Sequence, residues 1–258
     1  MCWKMREIIL KVEEIPSLGI EAEVISPDVF HGKSLDKIES LPVYEGKIEM
    51  KLSDCFSIKG TIAKNLSEIK IKIEGDVSRV KRIGERMSDG RIIIDGNSGI
   101  YLGCGMKGGN IIVNGNASSW TGMDMSGGKI IIKGDGENYI GSSYRGDWGG
   151  MSGGEIIING NVKTNTGACM KSGRIIINGN PGEFTGFGMS DGEIIINGNV
   201  DRRLGAEMSG GRIMVYGNVR EMLPSFIEDG EENIDGDVFK VFTGDMVKNG
   251  EGKIYIKK

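Results

Sequence analysis

The chain has 258 residues, of which 43 are glycine and 5 proline, and a formal net charge of -4. That length can bury a sizeable core, the proline count excludes a collagen-like or Pro/Gly-disordered chain, and the charge argues against bulk attraction to nucleic acid. Cys2, Cys55, Cys104 and Cys169 form no C-x-x-C pair and have no histidine cluster around them, which leaves no zinc or iron–sulfur motif and suits a reducing cytoplasm.

Residues 1–65 carry no repeat. The opening MCWKMREIILKVEE has charges throughout and is not a signal peptide, and no stretch approaches the ~18–20 apolar residues of a membrane span. Strand-like runs at 6–12 and 46–52 flank a turn-rich stretch around Pro27 and a short helical pattern at 34–41. The segment is expected to cap one end of a repeat that begins at residue 66. His31, the single histidine, is expected to be a capping or surface residue.

The repeat runs from 66 to 219. Methionines fall at 87, 106, 125, 151, 170, 189 and 208, spaced 19, 19, 26, 19, 19 and 19. Each opens a unit such as MSDGRIIIDG or MSGGEIIING, and a degenerate first copy, LSEIKIKIEG, has Leu66 in the methionine place. β-Branched triplets between glycines read as short strands, which are stable only when the next copy pairs beside them. The expected fold is all-β: a right-handed parallel β-helix, or solenoid, of about eight 19-residue repeats with a non-repeating N-terminal cap.

Each strand ends in Gly followed by Asn or Asp, from Gly75-Asp76 to Gly217-Asn218. That column is expected to form a stacked ladder at the turn. Alternation in the first copy puts Ile71 and Ile73 inside and Lys72 outside. The outward column then continues as Ile93, Ile112, Ile131, Ile157, Ile176 and Ile195, an apolar row that something should cover. The methionines are expected to stack inside as gap-filling core.

Two irregularities break the repeat. The first turn, 76–84, is oversized and holds Arg79, Lys81 and Arg82. The fourth unit is seven residues longer and carries Tyr144, Arg145, Asp147 and Trp148, residue types that dominate protein interfaces. Residues 220–258 leave the repeat and end in a strand at 253–256. Trp120, Trp148 and Tyr101 read as too scattered to form an aromatic row. No clustered carboxylates, histidine base, P-loop or dinucleotide fingerprint appears, so no catalytic, cofactor or metal residues are expected in this chain.

Three stretches carry a family resemblance: EGDVSRVKRIG at 74–84, NYIGSSYRGDWGGMSGG at 138–154, and the pattern around Pro27-Asp28-Val29-Phe30 with Gly32-Lys33-Ser34. With them the chain resembles the C subunit of formylmethanofuran dehydrogenase from methanogenic archaea, and its repeat resembles the glycine-rich domain of glutamate synthase. The resemblance implies a non-catalytic structural subunit of a ferredoxin-dependent complex that reduces carbon dioxide and formylates methanofuran in methanogenesis. It also implies molybdopterin-binding and amidohydrolase-like partner subunits that hold the tungsten or molybdenum pterin, iron–sulfur clusters and an amidohydrolase metal site. Neither nucleic acid nor membrane is implied as a partner. The expected interface residues are Tyr144, Arg145, Asp147, Trp148, Arg79, Lys81 and Arg82. The alternatives are a separately encoded glutamate synthase domain and a stand-alone β-helix binding module.

Overall fold

The computed structural model describes residues 7–144 and 146–258. Cys2 and Arg145 lie outside the described residues. The N-terminal segment contains β1 (Glu7–Val12), β2 (Ile20–Glu21), α1 (Pro27–Phe30), α2 (Leu35–Glu39), β3 (Pro42–Glu45), β4 (Ile48–Lys51), α3 (Leu52–Cys55) and β5 (Phe56–Gly60). The first repeat supplies β6 (Lys70–Glu74) and, in its oversized turn, β7 (Val80–Lys81). Each later repeat adds one strand: β8 (Arg91–Asp95), β9 (Asn110–Val113), β10 (Ser126–Ile132), β11 (Ser152–Ile158), β12 (Ser172–Ile177), β13 (Glu193–Ile196) and β14 (Arg212–Val215). The chain closes with β15 (Ile227–Ile234), β16 (Asp237–Gly244) and β17 (Gly252–Lys257).

Thirteen of these strands make one sheet in the order β15-β16-β17-β14-β13-β12-β11-β10-β9-β8-β6-β1-β5. Every pairing from β1 through the repeat strands to β17 is parallel, and only the outermost strands at each end run antiparallel. Register follows the repeat: Ile92 faces Ile111, Ile111 faces Ile130, and Ile130 faces Ile156 across the longer fourth unit. A second sheet, β4-β3-β2-β7, joins the N-terminal segment to the repeat, because the oversized turn supplies β7 as a parallel partner for β2. Asp28 fastens α1 to the next turn by accepting from the backbone N–H of Ser88 at 3.0 Å and from its hydroxyl. His31 is exposed, its Nε2 2.9 Å from the Lys64 carbonyl.

The strand alternation is as expected. Ile71, Ile73, Ile92, Ile94, Ile130 and Ile132 are fully buried, and all seven repeat methionines are buried with them. Lys72 points outward and pairs with Glu74 and Asp95 at 2.8 and 3.1 Å. The outward isoleucines are half-buried. Among the described residues, the expected cover is found at one end: Met214, Phe239, Val241 and Tyr255 are buried together there, with Ile195 packed against them. From Ile93 to Ile176 the row stays partly open, edged by ion pairs such as Lys129–Glu155 and Arg174–Glu193.

The turn column also forms a ladder. The backbone N–H of Asn116 donates to Oδ1 of Asn97 at 2.9 Å, and that of Asp135 donates to Oδ1 of Asn116 at 2.8 Å. The pattern continues through Asn161, Asn180, Asn199 and Asn218 at 2.7–2.9 Å. Each side chain thus satisfies a backbone donor one repeat away.

Candidate protein interface

Between the strand and the next methionine, each repeat makes a tight turn with residues in the left-handed backbone region. Its central glycine is required: at Gly122 (φ +67) a β-carbon would stand 2.5 Å from the δ-methyl of Ile156. Two residues earlier, a non-glycine residue also adopts positive φ: Arg82 (65°), Tyr101 (62°), Trp120 (59°), Tyr139 (62°), Asn165 (62°), Phe184 (61°) and Arg203 (60°). Such a conformation is uncommon for aromatic residues, so stacking between repeats must compensate for the backbone strain.

The stacking is visible. Tyr101 and Trp120 have ring centroids 5.5 Å apart, Trp120 and Tyr139 5.1 Å apart with their planes nearly parallel. Arg82 extends the column, its guanidinium 4.9 Å from the Tyr101 centroid. This corrects the expectation that Tyr101 and Trp120 are scattered. They sit one 19-residue period apart, with Tyr139 one further, and so share a register position. The rings lie against one another along the column, so both faces of Trp120 are taken. A sugar platform would need those faces free.

The insertion folds beside this column. The Ser142 hydroxyl donates to the Tyr139 carbonyl at 2.8 Å, and that of Ser143 to the Asp147 carbonyl at 2.6 Å. The backbone N–H of Asp147 closes the loop onto the Tyr144 carbonyl at 3.0 Å. These anchors hold the tip outward: Tyr144 is 55% and Trp148 56% exposed. Trp148 stacks on Phe187 at 6.3 Å, and Lys248 Nζ lies 5.8 Å from its ring centroid. A cavity of about 220 Å³ opens between them, walled by Tyr139, Tyr144, Trp148 and Phe187, with Asp147 and Cys169 also lining it.

The charges follow from burial. Desolvation first, then nearby Asp147, push the Asp124 carboxyl above its usual range, while Lys171 opposes the shift. Oδ1 of Asp124 is buried with no hydrogen-bond partner. Burial raises the Cys169 thiol and pushes that of Cys104 up to about 11, so both stay protonated near neutral pH. Among the described residues, no three His, Cys, Asp or Glu side chains are grouped to hold a metal ion, and no helix is long and apolar enough to cross a membrane.

The structure brings Tyr144, Asp147 and Trp148 together around the cavity, while the basic residues of the first turn pair beside β2. Lys81 and Arg82 both pair with Glu21 of β2, at 2.8 and 3.0 Å, and Arg82 also pairs with Glu85 at 3.0 Å. Arg79 is exposed, and its carbonyl accepts from the backbone N–H of Ile20. Arg82 reaches the aromatic column through Tyr101. Phe187, which supports Trp148, does not stand out in the sequence, because only the fold of the loop shows which repeat it lies on.

No protein-family model matches the chain. Over 101 residues it is 46% identical to the C subunit of the tungsten-containing formylmethanofuran dehydrogenase 2 of Methanothermobacter marburgensis, a match covering 39% of this chain and 37% of that protein. Over 99 residues it is 40% identical to the C subunit of the molybdenum-containing formylmethanofuran dehydrogenase 1 of Methanosarcina barkeri, covering 38% and 33%. The chain thus spans little more than a third of the length of the curated relatives it matches. Its fold is shared along nearly its whole length with a chain of the formyltransferase/hydrolase complex from Methylorubrum extorquens, solved in complex with methylofuran: TM-score 0.88, 23% identity, 97% of this chain and 99% of that one. In sequence over those hundred residues, the chain is similar to the C subunit of formylmethanofuran dehydrogenase.

Proposed function

We propose that this chain is a non-catalytic structural subunit of a formylmethanofuran dehydrogenase complex in the cytoplasm of a methanogenic archaeon. The similarity to the C subunit of that enzyme at 46% identity carries the reading. The shared fold with a chain of a formyltransferase/hydrolase complex supports it. The pterin, iron–sulfur and amidohydrolase metal sites then belong to partner subunits, of molybdopterin-binding and amidohydrolase type.

The repeats are read as a right-handed parallel β-helix. Three features support this: strands paired in parallel at each repeat, a second line of parallel bridges through Val77, Ser98, Ala117, Gly136 and Val162, and turns bonded repeat to repeat, as from Gly122 N–H to the Leu102 carbonyl. Residues 1–65 and 220–258 are read as its end segments. Tyr144, Asp147 and Trp148, with Arg145, form the proposed interface, and Arg79, Lys81 and Arg82 form a second contact beside β2. Affinity purification from the native organism tests the proposal. Recovery with a molybdopterin protein and an amidohydrolase-like protein is expected. Recovery with glutaminase and synthase domains would overturn it.

A further inference from the structure

We propose that the cavity under the insertion receives an arginine side chain from a partner protein. The proposal rests on the reading of this chain as a subunit of a complex and names the chemistry of one contact. At about 220 Å³ the cavity is smaller than the ~300–1,000 Å³ typical of small-molecule sites, and its size suits a single side chain. Four aromatic rings wall it, those of Tyr139, Tyr144, Trp148 and Phe187, and Asp147 supplies a carboxylate. Rings with one acid attract a cation, through the negative ring faces and by direct charge. Trp148 already draws Lys248 to 5.8 Å.

A second observation lies beside the cavity. Asp124 has a buried carboxylate oxygen with no hydrogen-bond partner, and Asp147 is a like charge acting on it. Asp124 is half-buried and Asp147 exposed, with Lys171 only partly offsetting their mutual repulsion, so a further positive group between them is favoured. An apolar plug would take the exposed Asp147 carboxylate out of water with no partner. A guanidinium fits better than an ammonium: it is planar, stacks on rings, and offers forked donors to a carboxylate.

The test follows Trp148 fluorescence in the full chain during titration with N-acetylarginine amide and with its neutral citrulline counterpart, with Trp148→Phe as the silent control. A saturable change with arginine and none with citrulline is expected, about tenfold weaker in Asp147→Asn. The purified complex should show no such change, because the partner's side chain fills the cavity. An equal response to citrulline, an undiminished response in Asp147→Asn or in the complex, or no response to arginine would each overturn the proposal. So would a response that appears only in Arg145→Ala, which would assign the cavity to the chain's own arginine. Failure of the scaffold reading is separate: it would show as missing partner subunits on purification, whatever the isolated chain binds.

Discussion

The terminal methyl of Met125 stands 2.6 Å from where a β-carbon on Gly154 would begin. The same fit recurs between Met106 and Gly128, and between Met170 and Gly192. Each methionine therefore occupies the space that the following repeat leaves by having no side chain. Neighbouring repeats are locked by shape as well as by strand pairing.

Gly154→Ala should be strongly destabilising. The residue has φ +84, and the added carbon would meet the Met125 methyl and backbone atoms of Gly127 and Gly128. Strain and overpacking together should cost about 2–5 kcal/mol. Met125→Ala should also destabilise, by roughly 2–5 kcal/mol through its cavity. The double variant should lose less than the sum of the two, because each change makes room for the other. Chemical denaturation of the three variants gives the coupling, and strict additivity would argue against the fit.

Asn180→Ala should weaken the turn ladder. Asn180 Oδ1 accepts from Asn199 N–H at 2.7 Å, and its own N–H donates to Asn161. Only the first bond is lost, so a cost of about 1 kcal/mol is expected. Amide hydrogen exchange should quicken at Asn199 and stay slow at Asn180.

Two sets of carboxylates should give opposite pH effects. Lys72 holds Glu74 below its usual range, and Asp95 is lowered by Asn114 and then by Lys72. Their contribution is present above the ordinary carboxylate range and is lost as pH falls through the lowered values. Melting temperature should fall on acidification below about pH 4, less so in Asp95→Asn. Asp124 is raised instead, so its ionised form opposes folding at neutral pH. Asp124→Asn should raise the melting temperature at pH 7, with the gain disappearing in acid as the native carboxyl protonates.

Trp148→Ala should weaken assembly while the isolated chain stays folded. The side chain is more than half exposed, packing on Phe187, against Gly188 and near Lys248. A central aromatic anchor typically contributes about 2 kcal/mol or more to binding, roughly a thirtyfold loss on truncation. Pull-down of partner subunits with parallel thermal melts separates the two effects. A collapse of the melting temperature would make the loop structural.

The repeat is legible because each feature recurs every 19 residues: the buried methionines, the alternation at Ile71 and Ile73, and the Asn ladder can all be read from spacing. The helix at 35–39 and the final strand are also legible from local pattern. β5 is not, because Phe56–Gly60 owes its place to pairing with β1 across more than forty residues, which local pattern does not reveal. β15 and β16 are hidden for a similar reason: β15 is acidic and exposed, without strand alternation. The aromatic column at 101, 120 and 139 lies in the spacing and is easily passed over there, whereas the support of Trp148 by Phe187 depends on how the insertion folds.

The insertion lengthens the fourth repeat by seven residues, yet Lys129 still pairs with Glu155 and Ile130 with Ile156 in the register of the uninterrupted repeats. From Lys129 to Ile132 the core strand keeps its register across the extra segment, and the irregularity is confined to the stretch before Lys129. That makes residues 142–150 a cartridge: the tip can be lengthened, shortened or rewritten, and recognition can diversify, without renegotiating the packing beneath it.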